Sequence, residues 1–266
     1  MLEFLEYNFE QDNAEACPIY LIKAEEFNLW LDRENSHVKN WIHANKFSAS
    51  SGDVCLVPDR LGNIEKVLVG LGGEEIRKRN RFVLGGVTKK IPNLKYKLVS
   101  EHPEFEVKEH YLGWLLSQYH FSKYRDQVNN NPRLVAPSMF DGSRIEKIAQ
   151  GEALTRDLIN TPTNNMGPLE LEKSIRSLAG LHGASFKTIC GEHLLEKNFP
   201  MIHTVGRASA ELPRLIELVW GEHGPTLTLV GKGVCFDTGG LNIKPGSSMS
   251  LMKQDMGGAA TVIGLA

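Results

Sequence analysis

The chain has 266 residues, a formal net charge of −2 and a hydrophobic content of 41%, which are ordinary values for a globular protein of one large or two smaller domains. A charge this close to zero argues against a general binder of nucleic acids or membrane surfaces. The acidic start, residues 1–6, lacks a basic segment before an apolar run and therefore does not predict a secretory signal. No apolar stretch approaches ~18 residues, so we expect a cytoplasmic protein without a membrane span.

Short strand-like runs alternate with helical ones in the first half of the sequence. Apolar runs predict strands at residues 18–22, 54–58, 66–70 and 96–100. Apolar residues at helical spacing predict helices at residues 25–33, 74–90 and 109–121. This alternation predicts an α/β fold with a mostly parallel sheet and helices on its faces.

A loop signal separates this region from the rest of the chain. The run at residues 129–132 reads Asn-Asn-Asn-Pro, and a long helix is predicted to follow it as far as residue 159. Ser143 and Glu146 have the spacing of a capping box at the start of that helix. We therefore predict an N-terminal α/β domain over residues 1–140 and a second domain over residues 141–266.

The alternation resumes after this boundary. Helices are predicted at residues 168–181, 192–197, 201–207 and 257–266. Strands are predicted at residues 185–189, 215–220 and 226–230. The last two runs are largely apolar, which is typical of central strands buried on both faces.

The charges between residues 232 and 255 form the most informative cluster of the sequence. They are Lys232, Asp237, Lys244, Lys253 and Asp255, in a region rich in glycine that follows the last predicted strand. Two aspartates can bind a divalent cation, whereas a protonated lysine, with a reference pKa of ~10.4, repels one. A lysine binds metal only as a neutral, desolvated amine, and a charged lysine can instead stabilise developing negative charge. Spacing alone leaves open the alternative that the aspartates cap turns and the lysines are solvated.

The same region carries a family resemblance. The blocks VGKG (230–233), FDTGG (236–240), IKP (243–245) and MKQDMGGAA (252–260) together resemble the leucyl (cytosol) aminopeptidase family, the di-metal M17 peptidases. Upstream, the block RDLINTP (156–162) is similar to the segment that opens the family's catalytic domain. The resemblance implies that residues 141–266 form the first part of an α/β/α zinc-peptidase-like catalytic domain, whereas the N-terminal part matches the family only in character.

The resemblance also implies a role for each of several residues. Lys232, Asp237 and Asp255 are the implied ligands of two divalent metal ions, Zn²⁺ or Mn²⁺, and Lys232 binds as a neutral amine. Asp255 is also implied to lie near the free amino group of the substrate, and Met252 to line the pocket for its first side chain. Lys244 is the implied catalytic residue, which polarises the scissile carbonyl. The function implied is removal of N-terminal, preferentially Leu-like residues from peptides by a hexameric enzyme.

One departure from the family pattern affects this interpretation. Two further carboxylate ligands and a catalytic arginine come, in the family, from a later block of the form N-T-D-A-E-G-R, which this sequence does not contain. That arginine is thought to hold a bicarbonate ion that acts as a base. Three interpretations remain: part of a longer enzyme, a truncated product without activity, or a non-catalytic α/β module for binding or assembly.

Three minor features receive structural interpretations. The four cysteines form no CxxC pair and are expected to be reduced thiols, with Cys235 filling a small apolar position. Lys253 has no implied family role and is expected to be solvated or structural. The basic run at residues 77–81 is expected to be a solvated helix face, and a DNA contact through Arg77, Arg79 and Arg81 is the alternative.

Overall fold

The computed structural model describes residues 7–11, 14–100, 102–125 and 131–266. These residues divide into two compact units between Gln150 and Gly151. We call the described residues up to 150 the N-terminal unit and residues 151–266 the C-terminal unit. The domain bounds 1–140 and 141–266 stay predictions. Within the described part of the chain, no helix combines the length and the apolar character needed to cross a lipid bilayer.

The N-terminal unit contains a mixed five-stranded sheet. Its strands are β1 (Cys17–Lys23), β2 (Val54–Pro58), β3 (Ile64–Gly72), β4 (Lys95–Val99) and β5 (Arg133–Leu134). They lie in the order β2-β3-β1-β4-β5. β1 pairs in parallel with β3 and β4, β4 pairs in parallel with β5, and β2 is antiparallel to β3. The prediction of a mostly parallel sheet is confirmed.

The helices of the N-terminal unit connect these strands. They are α1 (Phe27–Asp32), α2 (Ser36–Ala44), α3 (Glu74–Arg77), α4 (Val83–Val87) and α5 (Glu104–Ser117). The sequence did not predict α2, although Asn35 caps it by accepting a hydrogen bond from the Val38 N–H at 3.0 Å. Val38 and Ile42 of α2 are fully buried in a cluster with Ile22 and Leu68 of the sheet.

The single helix predicted at residues 74–90 is wrong, because α3 and α4 are separate. A side chain at Gly85 would place its Cβ 3.0 Å from the Gly113 carbonyl oxygen of α5. At Gly113, a Cβ would lie 3.0 Å from the Phe82 Cβ, so α4 and α5 touch backbone to backbone. This packing between helices overrides the local helical pattern of the sequence.

The long helix α6 (Ser143–Asn160) begins in the N-terminal unit, and the division between the units falls within it. The predicted capping box is not formed. Asp141 accepts hydrogen bonds from the Ser143 N–H at 2.9 Å and the Ser143 hydroxyl at 2.6 Å. Glu146 instead accepts from the Phe9 N–H at 2.8 Å. The Glu146 carboxylate, which the local pattern assigns to the helix start, is therefore used in a contact with a residue far away in sequence.

The C-terminal unit contains the rest of α6 and the remaining elements. They are α7 (Pro168–His182), β6 (Ser185–Cys190), α8 (His193–Glu196), α9 (Pro200–Gly206), β7 (Arg214–Val219), α10 (Gly246–Met249) and α11 (Gly257–Leu265). α7 begins at Pro168 and ends at Gly183, whose φ of +64° suits glycine. β6 and β7 form a two-stranded antiparallel sheet.

Two strand predictions for this unit are wrong. Residues 226–230 form no strand, and none of the described residues pairs with them. β7 exists, but it is a half-buried strand paired only with β6 among the described residues, not a central strand buried on both faces. A strand requires a neighbour to satisfy its backbone groups, which an apolar sequence alone does not provide.

The core of the C-terminal unit joins α6, α7 and α11. Its largest fully buried members are Leu158 and Met256, and Cys235 is also buried there as a free thiol. α6 and α11 approach closely through two glycines. A Cβ on Gly151 would lie 2.3 Å from the Gly264 carbonyl oxygen, and one on Gly264 would lie 2.5 Å from that of Gly151. Only glycine fits at this crossing.

Candidate metal centre

The loop that contains Lys232 is fixed to the beginning of α11. The Ala259 N–H donates a hydrogen bond to the Lys232 carbonyl oxygen at 2.9 Å. A Cβ on Gly231 would lie 2.6 Å from the Ala259 Cα, and one on Gly258 would lie 3.0 Å from the Lys232 nitrogen. The glycines therefore allow two backbone segments to touch, and this contact sets the position of Lys232.

The same contact brings Lys232 beside Asp255. Asp255 follows a single 3₁₀ turn, Met252–Gln254, and donates its N–H to the Met252 carbonyl oxygen at 3.1 Å. The Lys232 Nζ forms an ion pair with the Asp255 Oδ2. Oδ2 is buried, and the Lys232 amine is the positive group that lies beside it.

A second lysine–aspartate pair lies in the same loop region. The Lys244 Nζ is 3.2 Å from the Asp237 Oδ2, and the Gly239 N–H donates to the Asp237 Oδ1 at 2.7 Å. The Lys244 N–H bonds to the Thr238 carbonyl oxygen at 2.9 Å, which closes a tight turn through Gly239 at a φ of +79°. The sequence predicted the separate residues but not this pairing.

The charge of Lys232, in the first pair, also acts on Asp237, in the second pair. The pKa of Asp237 is lowered, first by the Gly239 N–H bond and then by the bond from Lys244. The charges of Lys244 and Lys232 lower this pKa further, so Lys232 lies within electrostatic range of Asp237. A carboxylate that stays ionised can bind a cation without first losing a proton.

The other two candidates of this region lie in the 3₁₀ turn before Asp255. Met252 is partly buried at the first position of this turn. The Lys253 Nζ donates to the Asn160 carbonyl oxygen at the end of α6, at 3.2 Å. Lys253 thus satisfies a helix terminus, which agrees with the structural role expected for it.

The donors present suit part of a divalent metal centre. Within the described ranges, no three histidine, cysteine, aspartate or glutamate side chains come together as a ligand group. Two carboxylates and one amine are available instead, at Asp237, Asp255 and Lys232. Carboxylate oxygens such as those of Asp237 and Asp255 are suitable ligands for a divalent cation. Three protein ligands are fewer than two metal ions require, so the fit is partial.

The basic run in the N-terminal unit is largely neutralised by carboxylates. Arg77 forms an ion pair with Glu25 at 2.5 Å and also donates to the Gly72 carbonyl oxygen at 2.6 Å. Arg81 pairs with Glu109. These contacts make the run a poor phosphate-binding surface, because a polyanion would have to displace the carboxylates.

Comparison with known proteins identifies the family. A family profile described as "M17 aminopeptidase, N-terminal domain" matches residues 17–137. A second, described as "Cytosol aminopeptidase family, catalytic domain", matches residues 153–266. The chain belongs to the cytosol aminopeptidase (M17) family. Both units therefore carry the family pattern, although the sequence resemblance was specific only in the second half.

Two solved structures have the same fold as this chain. The cytosol aminopeptidase of Coxiella burnetii superposes with a TM-score of 0.87 at 35% identity, covering 97% of this chain and 56% of that chain. The bottromycin maturation enzyme BotP, solved in complex with Mn, superposes with a TM-score of 0.78 at 28% identity, covering 94% of this chain and 55% of that one.

The curated relatives are longer than this chain. A protein of Alkaliphilus metalliredigens named "Probable cytosol aminopeptidase" is 30% identical over 259 residues, which cover 85% of this chain and 51% of that protein. This chain therefore spans about half the length of the relatives that it matches. The expected ligands Lys232, Asp237 and Asp255 all lie within the residues that match the catalytic profile.

Sequence reasoning missed the role of Ala259 in this centre. Its N–H anchors the Lys232 carbonyl, and its small side chain permits the close approach of Gly231. The signal was present in the run of small residues at 257–260. A run of small residues that opens a helix beside a glycine loop indicates backbone contact between them.

Proposed function

We propose that this chain carries part of the active site of a metal-dependent aminopeptidase. The complete protein would be a cytoplasmic enzyme, assembled as a hexamer, that releases N-terminal and preferentially Leu-like residues from peptides. One observation carries the proposal: the glycine-rich loop brings the Lys232 amine against the Asp255 carboxylate and within electrostatic range of Asp237.

Lys232, Asp237 and Asp255 would hold two divalent metal ions, with Zn²⁺ or Mn²⁺ as the candidates. BotP, a structural neighbour, was solved in complex with Mn, which supports Mn²⁺ as one of them. Bound metal would supply a water or hydroxide nucleophile at neutral pH and would polarise the peptide carbonyl.

The other site residues would act directly on the peptide. Lys244 is held beside Asp237 at 3.2 Å as a charged donor, and we assign it to the carbonyl oxygen as negative charge develops there. Asp255 would also orient the free amino group of the substrate. Met252, three residues before it, would line the pocket for the first side chain. Residues of the same turn would thus contact both the amino group and the side chain of the first residue of the substrate.

Further ligands must complete this centre. The family resemblance implies two more carboxylates and an arginine that holds bicarbonate as a base, and these lie outside the present sequence. The complete protein is therefore the proper object of an activity test. If that protein shows no turnover of a leucyl substrate and retains no metal, a non-catalytic binding or assembly module becomes the better interpretation.

Variants of the complete protein test these roles. Metal content after dialysis against Zn²⁺ or Mn²⁺ and hydrolysis of Leu-p-nitroanilide would be measured for Asp255→Ala, Lys244→Ala and Lys187→Ala. We expect Asp255→Ala to lose one tightly bound metal and Lys244→Ala to keep both while losing about 10²–10³-fold in kcat. Lys187, an exposed residue of β6, is the control and should retain both properties. Equal metal loss in Asp255→Ala and Lys244→Ala would contradict this division of roles.

A further inference from the structure

The turn before Asp255 is too short to hold its own position. It is a single 3₁₀ turn, Met252–Gln254, which the Asp255 N–H closes on the Met252 carbonyl oxygen at 3.1 Å. One helical turn fixes several dihedral angles for very few hydrogen bonds and is not stable alone. Contacts with other parts of the fold must therefore set the position of the Asp255 carboxylate.

Lys253 ties this turn to the end of α6. Its Nζ donates a hydrogen bond at 3.2 Å to the carbonyl oxygen of Asn160, the last residue of α6, which lies 93 positions away in the sequence. The last carbonyl groups of a helix have no partner within it and carry the negative end of its dipole, so a lysine amine is a favourable partner for them. The Lys253 side chain is partly buried, whereas the next residue, Gln254, is exposed. Lys253 is therefore directed at the protein and not at the solvent.

Met256 anchors the chain on the other side of Asp255. Its side chain is fully buried in the core cluster that also contains Leu158 of α6. Further along, the Thr155 hydroxyl of α6 donates to the Ala260 carbonyl oxygen at 3.2 Å, so α6 also holds the beginning of α11. A buried side chain after Asp255 limits where the turn lies but leaves it free to rotate about that side chain. A second attachment, two residues before Asp255, removes this freedom.

We propose that Lys253 is a positioning residue for the candidate metal centre, because its bond to the end of α6 fixes the turn that carries the Asp255 carboxylate. The inference rests on the proposed function for the metal but not for the bond itself. A residue that only completes the end of a helix would affect the stability of the whole unit. A positioning residue acts on the turn locally, and residues that orient metal ligands typically contribute about 10–100-fold to metal affinity.

Variants of the complete protein separate these two roles. Lys253→Met keeps most of the apolar stem but removes the donor, and Lys253→Arg restores a charged donor. Lys173→Met is the matched control, because the Lys173 side chain is 63% exposed on α7. Hydrogen exchange of the metal-free protein would be followed at residues 252–256 and in α7. We expect Lys253→Met to speed exchange at 252–256 at least about tenfold and to leave α7 unchanged, with the other two variants close to the unmodified protein.

Metal affinity is the second readout, measured by titration with Mn²⁺ alone. Lys253→Met should weaken the binding of one Mn²⁺ at least about tenfold, whereas Lys253→Arg and Lys173→Met should bind like the unmodified protein. Unchanged exchange at 252–256, equal acceleration in α7, failure of arginine to restore the behaviour, or an unchanged affinity for Mn²⁺ would overturn the proposal. If the unmodified protein binds no Mn²⁺, the proposed function fails, and the exchange comparison alone decides whether Lys253 positions the turn.

Discussion

Acid should destabilise the N-terminal unit through His110. This histidine of α5 is 7% exposed, and no hydrogen-bond partner for its Nδ1 is present among the described residues. Burial, and to a smaller extent the nearby His102, lower the pKa of His110 to about 4. Glu109 and Glu106 raise this pKa, but they do not compensate for the burial. The folded protein therefore keeps His110 neutral in a range of pH where the unfolded chain protonates it.

The sign and size of the effect follow from this difference. An unfolded histidine has a pKa of ~6.5, so between pH ~6.5 and ~4 the unfolded state binds more protons than the folded state. The free energy of unfolding should be unaffected above this range and should fall as the pH decreases through it. The loss amounts to about 2 kcal/mol at pH ~5 and approaches about 3 kcal/mol below pH ~4, at ~1.36 kcal/mol for each tenfold change in proton affinity.

Urea unfolding followed by tryptophan fluorescence at about pH 7.5 and about pH 5 would measure this loss. Trp114, which is 1% exposed in the same helix, reports on the surroundings of His110. The unmodified protein should lose about 2 kcal/mol more than His110→Gln on acidification. His193→Gln, at a ring that is 74% exposed, should behave like the unmodified protein. If His110→Gln and the unmodified protein lose equal stability, His110 does not cause the acid sensitivity.

Three further predictions concern the C-terminal unit. Glu172→Gln should lower the free energy of unfolding by about 3 kcal/mol, because it breaks a pair with Arg214 at 2.5 Å in which both side chains are only 10% exposed; denaturant titration measures it. Leu158→Ala should cost about 2–5 kcal/mol because its side chain is fully buried, whereas Leu181→Ala, at 60% exposure, should cost far less in the same titration. Gly183→Ala should cost about 1 kcal/mol because of its φ of +64°, and an unchanged thermal midpoint would contradict this.

The strands β1 to β4 of the N-terminal unit could be predicted because each has a local signature, whereas the two-residue β5 was not predicted. β1 and β3 are apolar runs bounded by polar residues, and they pair inside a sheet that supplies neighbours on both sides. The run at 226–230 has the same signature but no neighbour in the described chain, so the same rule fails there. A short stretch of sequence shows whether its residues favour a strand, but it does not show whether a neighbouring strand is present to pair with it.

The candidate site was likewise predicted only in part from the sequence. The family resemblance of the glycine-rich region was sufficient to name Lys232 and Asp255, which are far apart in sequence, as candidates. Their contact depends on the backbone bond between Ala259 and Lys232, which no spacing rule contains. The pairing of Lys244 with Asp237 follows from the tight turn at Gly239. The conformation of the loop, rather than its composition, determines which lysine pairs with which aspartate.

The glycine crossing of α6 and α11 has a consequence for sequence variation far from the loop. α11 begins beside Lys232 and Asp255, and its far end rests on α6 through Gly264 and Gly151, where either Cβ would collide with a carbonyl oxygen. An alanine at Gly264 would force α11 away from α6, and this displacement would disturb the beginning of the helix, where the Ala259 N–H holds Lys232. A substitution at a position without a metal-binding side chain would therefore affect the candidate centre even though Lys232, Asp237 and Asp255 were unchanged.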